Sequence, residues 1–137
     1  MRIEDKLDEI ENYLGELAEI APETLDEYNG NIRTRRACER LFELITEAIA
    51  DAVFIFIKER EIEMPEDDES AFRKLASLQI LPEELGRKLQ DARRMRNIIA
   101  HKYGAVDDER VFRTIKDELS KDAFSFIAQI KKSLDKK

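Results

Sequence analysis

Apolar residues return every three or four positions along almost the whole chain, and that spacing constrains the fold more than any other feature. Ile3, Leu7, Ile10, Leu14, Leu17 and Ala21 form such a series. At about 100° per residue these positions make one stripe on a helix, with acids and Lys6 on the other side. Only 4 glycines and 3 prolines occur in 137 residues, too few for the turns of a sandwich or a barrel. The chain is expected to be all-α and to form a single helical domain over residues 1–137.

Breaks in the pattern mark the elements. Pro22 closes the first stripe, and Asn29-Gly30-Asn31 reads as a turn. A longer helix is expected over 32–60, with Cys38, Leu41, Phe42, Ile45, Ile49, Val53 and Phe56 on one side. Its segment IADAVFIFI is apolar nearly all round, which suits the middle of a core or a dimer interface. Glu66-Asp67-Asp68-Glu69 lacks the spacing of a calcium loop and reads as a solvated loop ending in a helix cap. A short helix is expected over 70–78. Pro82 then suits the first turn of a helix carrying Leu85, Leu89, Ala92, Met95 and Ile99, and Gly104 suits its end. Asp107 or Asp108 is expected to cap a final helix with Phe112, Ile115, Leu119, Ala123, Phe126, Ile130 and Leu134 inward. Four long helices and one short one pack most simply as an antiparallel four-to-five-helix bundle.

Charge and composition narrow the function classes. Lys plus Arg total 24 against 31 for Asp plus Glu, a net of −7, which argues against indiscriminate binding to phosphate backbones. One cysteine and one histidine exclude a disulfide framework, a zinc site of several thiolates and the paired Glu-x-x-His sites of di-iron bundles. The longest apolar run, Val53 to Ile57, is far too short to span a membrane, and the first residues have no apolar signal region. A cytoplasmic protein without a membrane partner is the expectation.

The stretch RKLQDARRMRNIIAHKY, residues 87–103, breaks the acidic trend. It gathers Arg87, Lys88, Arg93, Arg94, Arg96 and Lys102 around His101, against the single acid Asp91. On charge alone the simpler account is an exposed basic face that offsets acids on neighbouring helices. Helical spacing places Arg93, Asn97 and His101 on one stripe, and Arg96 about 140° around the axis from His101. Ile98, Ile99 and Ala100 are expected to pack inward and fix the helix. A histidine that titrates near neutrality beside guanidinium groups suits phosphodiester cleavage. The imidazole moves a proton while arginine neutralises the charged transition state. No metal-ligand set accompanies them, so the expected chemistry needs no metal or other cofactor. RNA, with its internal 2′-OH nucleophile, is then the natural substrate.

Arg96-Asn97-Ile98-Ile99-Ala100-His101-Lys102-Tyr103 resembles the Arg-x4-His motif of the HEPN superfamily, in the Arg-Asn-x3-His-x-Tyr form of the HepT toxins of MntA–HepT modules. Arg36-Ala37-Cys38-Glu39-Arg40-Leu41 with Glu47-Ala48 is similar to that family's second helix. Ala71-Phe72-Arg73-Lys74-Leu75 and Leu81-Pro82-Glu83-Glu84-Leu85 resemble the approach to its motif helix, and Val106-Asp107-Asp108-Glu109-Arg110 the segment after it. The resemblance implies a metal-independent endoribonuclease toxin that works as a homodimer, with the motifs of both subunits on one cleft. Arg96 and His101 would be the catalytic pair and Asn97 their support. Arg93, Arg94 and Lys102 are candidates for holding RNA. The partner implied is an MntA-like nucleotidyltransferase antitoxin that silences the toxin by transferring AMP to Tyr103. The added bulk and negative charge would enter a cleft meant for an RNA phosphate.

Simpler readings stand beside these. A helical subunit that binds a nucleotidyltransferase or its nucleotide substrate without catalysis is one alternative, and Tyr103 packing on the helix end is another. Cys38 reads as a small core residue, and Phe54, Phe56, Phe124 and Phe126 as core or interface rather than a base-stacking platform. Arg33, Arg35, Arg36 and Arg40 form a second basic cluster, suited to RNA, to the antitoxin or to surface ion pairs.

Overall fold

A computed structural model describes residues 2–101 and 106–136, and among them no strand occurs. The helices are α1 (Ile3–Ile20), α2 (Leu25–Gly30), α3 (Ile32–Glu59), α4 (Asp68–Ser77), α5 (Glu83–His101), α6 (Asp108–Thr114) and α7 (Ser120–Asp135). A π-helical turn, Ile115–Leu119, joins α6 to α7, so the last two run as one element. No helix among the described residues is long and apolar enough to cross a membrane.

Capping side chains set several boundaries. Thr24 Oγ1 accepts from the Glu27 amide at 3.2 Å, Asn31 Oδ1 from Thr34 at 3.1 Å, and Asp67 Oδ1 from Ser70 at 2.8 Å. Asp107 Oδ1 accepts from Arg110 at 3.1 Å, which selects it over Asp108 as the cap of α6. Each takes up an amide that the helix leaves unpaired. The Asp67 carboxyl is held below its usual range, chiefly by the Ser70 amide.

Ion pairs and caps fix the helix directions. Ile3 of α1 lies against Glu59, and Lys6 lies 3.7 Å from Asp51, so α1 and α3 are antiparallel. Asp68 at the start of α4 meets Arg93 late in α5, giving a second antiparallel pair. Arg60 bonds the Ser133 carbonyl while Arg35 lies 3.9 Å from Asp108, so α3 and the α6–α7 element run parallel. Helix α3 is the centre. Phe42, Ile45, Ile49, Val53, Phe56 and Ile57 are fully buried, and they meet Leu7, Ile10 and Leu14 of α1 and Ala123, Phe126 and Ile130 of α7 in one core. Truncating any of the large ones to alanine costs about 2–5 kcal/mol.

The expected bundle is present, with one helix more than expected. Asn29 and Gly30 close α2 instead of forming a free turn, and Tyr28 on it is buried with its ring centroid 5.3 Å from that of Phe112. One apolar expectation fails for a geometric reason. Ile98, Ile99 and Ala100 together span about 200° of the helix, so all three cannot face inward. Ile99 is buried, Ala100 is half-buried and Ile98 is 44% exposed. Of the two readings of Phe124, core or interface, the core one falls away: it is 52% exposed, because its neighbours Ala123 and Phe126 hold the inward positions. Phe56 and Phe126 are core residues, and Phe54 packs half-buried on the core. Cys38 is buried, and burial pushes its thiol up to about 11.

Candidate functional site

The motif helix is positioned from its first turn. Leu81 is buried, the Pro82 carbonyl accepts from the Gly86 amide at 3.0 Å, and Glu83 and Glu84 favour the positive end of the helix dipole. Leu85, Leu89 and Ile99 then anchor α5 in the core, with Ala92 and Met95 packed beside them. This inward stripe turns Arg96 toward α3 and leaves His101, the last residue of the helix, exposed.

Arg96 is held on two sides. Its Nη1 donates to Asn97 Oδ1 at 3.0 Å, and its Nη2 donates to the carboxylate of Glu47 on α3. The arginine side chain is 19% exposed and that of Glu47 32%, so the pair sits at the protein surface with one flank against the bundle. Asn97 therefore supports Arg96 directly. In the sequence Glu47 appears only as part of the second-helix resemblance. Its position 49 residues earlier carries no local signal.

Among the described residues, the other arginines of the stretch and Lys88 are also paired. Arg93 Nε lies 2.8 Å from Asp68 Oδ2, and Arg94 bonds Asp91 at 2.6 Å and Glu69 at 3.1 Å. Arg87 and Lys88 lie within 3.9 and 3.7 Å of Asp91 and Glu84. The offset of basic residues by neighbouring acids is thus real, and it reaches into the candidate site itself. Arg93, Arg94 and Asn97 share a cleft of about 410 Å³ with Asp67, Asp68 and Glu69 at the start of α4. Of the four acids of that loop, Asp67 caps α4 while Asp68 and Glu69 clamp two arginines.

Three of the four arginines of the second basic cluster behave in the same way. Arg36 pairs with Glu39 at 2.9 Å, Arg40 with Glu43 at 3.0 Å, and Arg35 lies 3.9 Å from Asp108. Lys102, Tyr103 and Gly104 lie outside the described residues. Among the described residues no group of three or more His, Cys, Asp or Glu side chains is arranged to hold a metal ion.

The chain is thus an all-helical bundle that presents an arginine, braced by a carboxylate and an amide, on the same helix as an exposed histidine. The chain belongs to the ribonuclease HepT-like family, whose model matches residues 4–130. It is 30% identical over 113 residues to the tRNA nuclease HepT of Aphanizomenon flos-aquae (strain 2012/KM1/D3), covering 82% of this chain and 77% of that protein. In fold it is similar to the tri-AMPylated Shewanella oneidensis HEPN toxin, solved in complex with its MNT antitoxin. That match has a TM-score of 0.88 at 18% identity, over 95% of this chain and 96% of the other. It also resembles YutE, a cytosolic protein of unknown function from Bacillus subtilis. There the TM-score is 0.79 at 21% identity, over 97% and 88% of the two chains.

Proposed function

We propose that this chain is a metal-independent endoribonuclease toxin in which His101 moves the proton and Arg96 stabilises the reacting phosphate. The observation that carries the reading is the bracing of Arg96 by Glu47 and Asn97 on the helix that ends in exposed His101. A guanidinium fixed before substrate arrives stabilises a transition state without reorganising, which is where electrostatic catalysis is strongest. In the proposed step the substrate's 2′-OH gives up its proton and its oxygen attacks phosphorus. The bond to the 5′-oxygen breaks, and that oxygen takes a proton. The products are a 2′,3′-cyclic phosphate and a 5′-OH end. His101 serves one of the two transfers and Arg96 faces the non-bridging oxygens. By the activity named for the Aphanizomenon relative, the substrate class is tRNA.

The remaining parts of the proposal follow the family. Two copies would place both motif helices on one cleft, which brings paired Arg96 and His101 groups onto one phosphate despite their separation around the helix. An MntA-like nucleotidyltransferase antitoxin would silence the chain by placing AMP on Tyr103, in keeping with the AMPylated toxin bound to MNT antitoxin in the Shewanella structure. A cytoplasmic location follows from that role.

The test is cleavage of tRNA in the presence of EDTA by the wild-type chain and by His101→Ala. Cyclic-phosphate products from the wild type and none from the variant are expected, with fold retained because His101 is exposed. Equal cleavage by the variant overturns the assignment. A second reading, a non-catalytic subunit that binds the nucleotidyltransferase, is favoured by one observation: Arg93, Arg94 and Arg96 already hold carboxylates. That reading expects a stable heterocomplex and no cleavage from either protein.

A further inference from the structure

A cavity of about 420 Å³ lies between α5 and the beginning of α6. Its apolar wall includes Met95, Ile98, Val106 and Val111, and Arg94 and Arg110 stand at its polar margin with Asp91 and Asp107. We infer that this cavity seats a nucleobase of the RNA beside the phosphodiester that is cut. The inference rests on the ribonuclease reading and adds a binding site to it.

Three observations carry it. The first is position. Ile98 and His101 are three residues apart on α5, so they are neighbours on one face, and Arg94 is one turn before Ile98 on the same face. A ligand held against Ile98 therefore has its next group within reach of the histidine. The second is chemistry. Ile98 is 44% exposed on a surface otherwise crowded with charge, and it opens a small apolar concavity. Nucleobases pair an apolar face with a polar edge, and a cavity of a few hundred cubic ångströms suits one small ring system. A whole partner helix would need a longer groove. The third is charge. Arg87, Lys88, Arg93, Arg94 and Arg96 all hold carboxylates, whereas Arg110 has no carboxylate partner among the described residues. It is exposed at the rim, where Asp107 takes up its backbone amide and leaves the guanidinium to a phosphate joined to the seated base.

The experiment is methyl NMR of Ile98, Val106 and Val111 in the wild-type chain during titration with the four nucleoside 5′-monophosphates, with inorganic phosphate as the control. Nucleotides are expected to move these methyl signals and phosphate to leave them unmoved. Methyl signals that respond alike to nucleotides and phosphate overturn the site. Signals that shift with protein concentration and no longer respond to nucleotide in the associated form also overturn it, because the cavity is then covered by a second copy.

A kinetic arm uses Ile98→Trp, which fills the cavity from an exposed position, and Arg110→Gln, which removes the rim cation. KM for an RNA oligonucleotide is expected to rise about tenfold in the first and about threefold in the second, the loss of one modest contact in each case. Unchanged KM in both overturns the proposal, and circular dichroism identifies a variant that fails to fold. The two readings separate cleanly. A chain that cleaves no RNA but shows nucleotide-specific methyl shifts loses the ribonuclease assignment and keeps the base seat. A chain that cleaves RNA with silent methyls loses only the seat.

Discussion

The guanidinium of Arg96 on α5 rests on the carboxylate of Glu47 on α3, and this contact joins the motif helix to the central helix of the bundle. Asn97 holds the same guanidinium from within the motif. Removing the carboxylate leaves Arg96 charged and free to take other rotamers. For Glu47→Ala, kcat for RNA cleavage is expected to fall roughly tenfold to hundredfold, the scale of misplacing a catalytic donor. Glu47→Gln keeps an acceptor and should recover part of the loss. Stability should change by under about 1 kcal/mol, because the pair is partly exposed. Single-turnover kinetics beside thermal melts of the three proteins separate positioning from folding.

Asp68 and Glu69 hold Arg93 and Arg94 at 2.8 and 3.1 Å, in the cleft that also contains Asn97. An RNA phosphate must compete with these carboxylates for the same donors. The double variant Asp68→Asn, Glu69→Gln is expected to bind tRNA several-fold more tightly at low salt. Its salt dependence should be steeper, because more phosphates are then neutralised. Fluorescence anisotropy across a salt series measures both quantities. Affinity equal to that of the wild type means that the RNA passes elsewhere.

The Tyr28 hydroxyl is buried without a hydrogen-bond partner among the described residues. Burial and the nearby Glu39 carboxylate push the phenol far above its ordinary value, so it stays neutral. An unsatisfied buried hydroxyl carries a desolvation penalty that phenylalanine lacks. Tyr28→Phe keeps the ring contact with Phe112 and is expected to stabilise the chain by about 1 kcal/mol. Denaturant unfolding measures it, and a lower midpoint would reveal a partner such as a buried water.

Cys38 supplies a pH signature. Its thiol is raised from an ordinary value near 9 to about 11, first by burial and then by Glu39. The neutral thiol is the form the fold favours, so its contribution is complete below the ordinary value and is lost as pH rises from about 9 toward 11. The difference in stability between the wild type and Cys38→Ala should therefore shrink across that window, by an amount on the order of 2 kcal/mol. Alkylation at pH 8 should be slow until the chain unfolds. Urea titrations of both proteins at several alkaline pH values provide the comparison.

Period and punctuation carried most of the fold. The four-and-three spacing of Ile3 to Leu17 and of Cys38 to Phe56 translated directly into α1 and α3, because one apolar stripe on a charged helix has only one way to be buried. Helix α2 escaped although Thr24 caps it, its hydroxyl accepting from the Glu27 amide at 3.2 Å and donating to the Glu27 carboxylate at 3.1 Å. Six residues are too few to show a period, and Asn29-Gly30 read more strongly as a turn. The π turn at Ile115–Leu119 left no trace, since the spacing of Ile115, Leu119 and Ala123 is also that of a regular helix.

At the site, sequence identified the residue types and one helix but not their partners. Arg93, Asn97 and His101 lie on the helix that the pattern placed them on, whereas Asp68, Glu69 and Glu47 come from elsewhere in the chain. Ion pairs across 25 or 49 residues depend on how helices dock, and charge runs alone do not encode that. Neither is a basic stretch necessarily a basic surface, as the carboxylates on Arg93 and Arg94 demonstrate.

The last turn of α3 holds both outer helices. Glu59 accepts from the amide of Ile3 at 3.2 Å, and Arg60, stacked 5.2 Å over the ring of Phe56, bonds the Ser133 carbonyl at the end of α7. The beginning of the first helix and the end of the last are thus moored to adjacent residues. Topologically the bundle is almost a closed ring. Twelve residues of helix, about 18 Å at 1.5 Å per residue, separate this mooring from Glu47. The ring is sealed at the end of the molecule away from Arg96, so a short link between the two moored helices would close it at little entropic cost without crossing the motif helix.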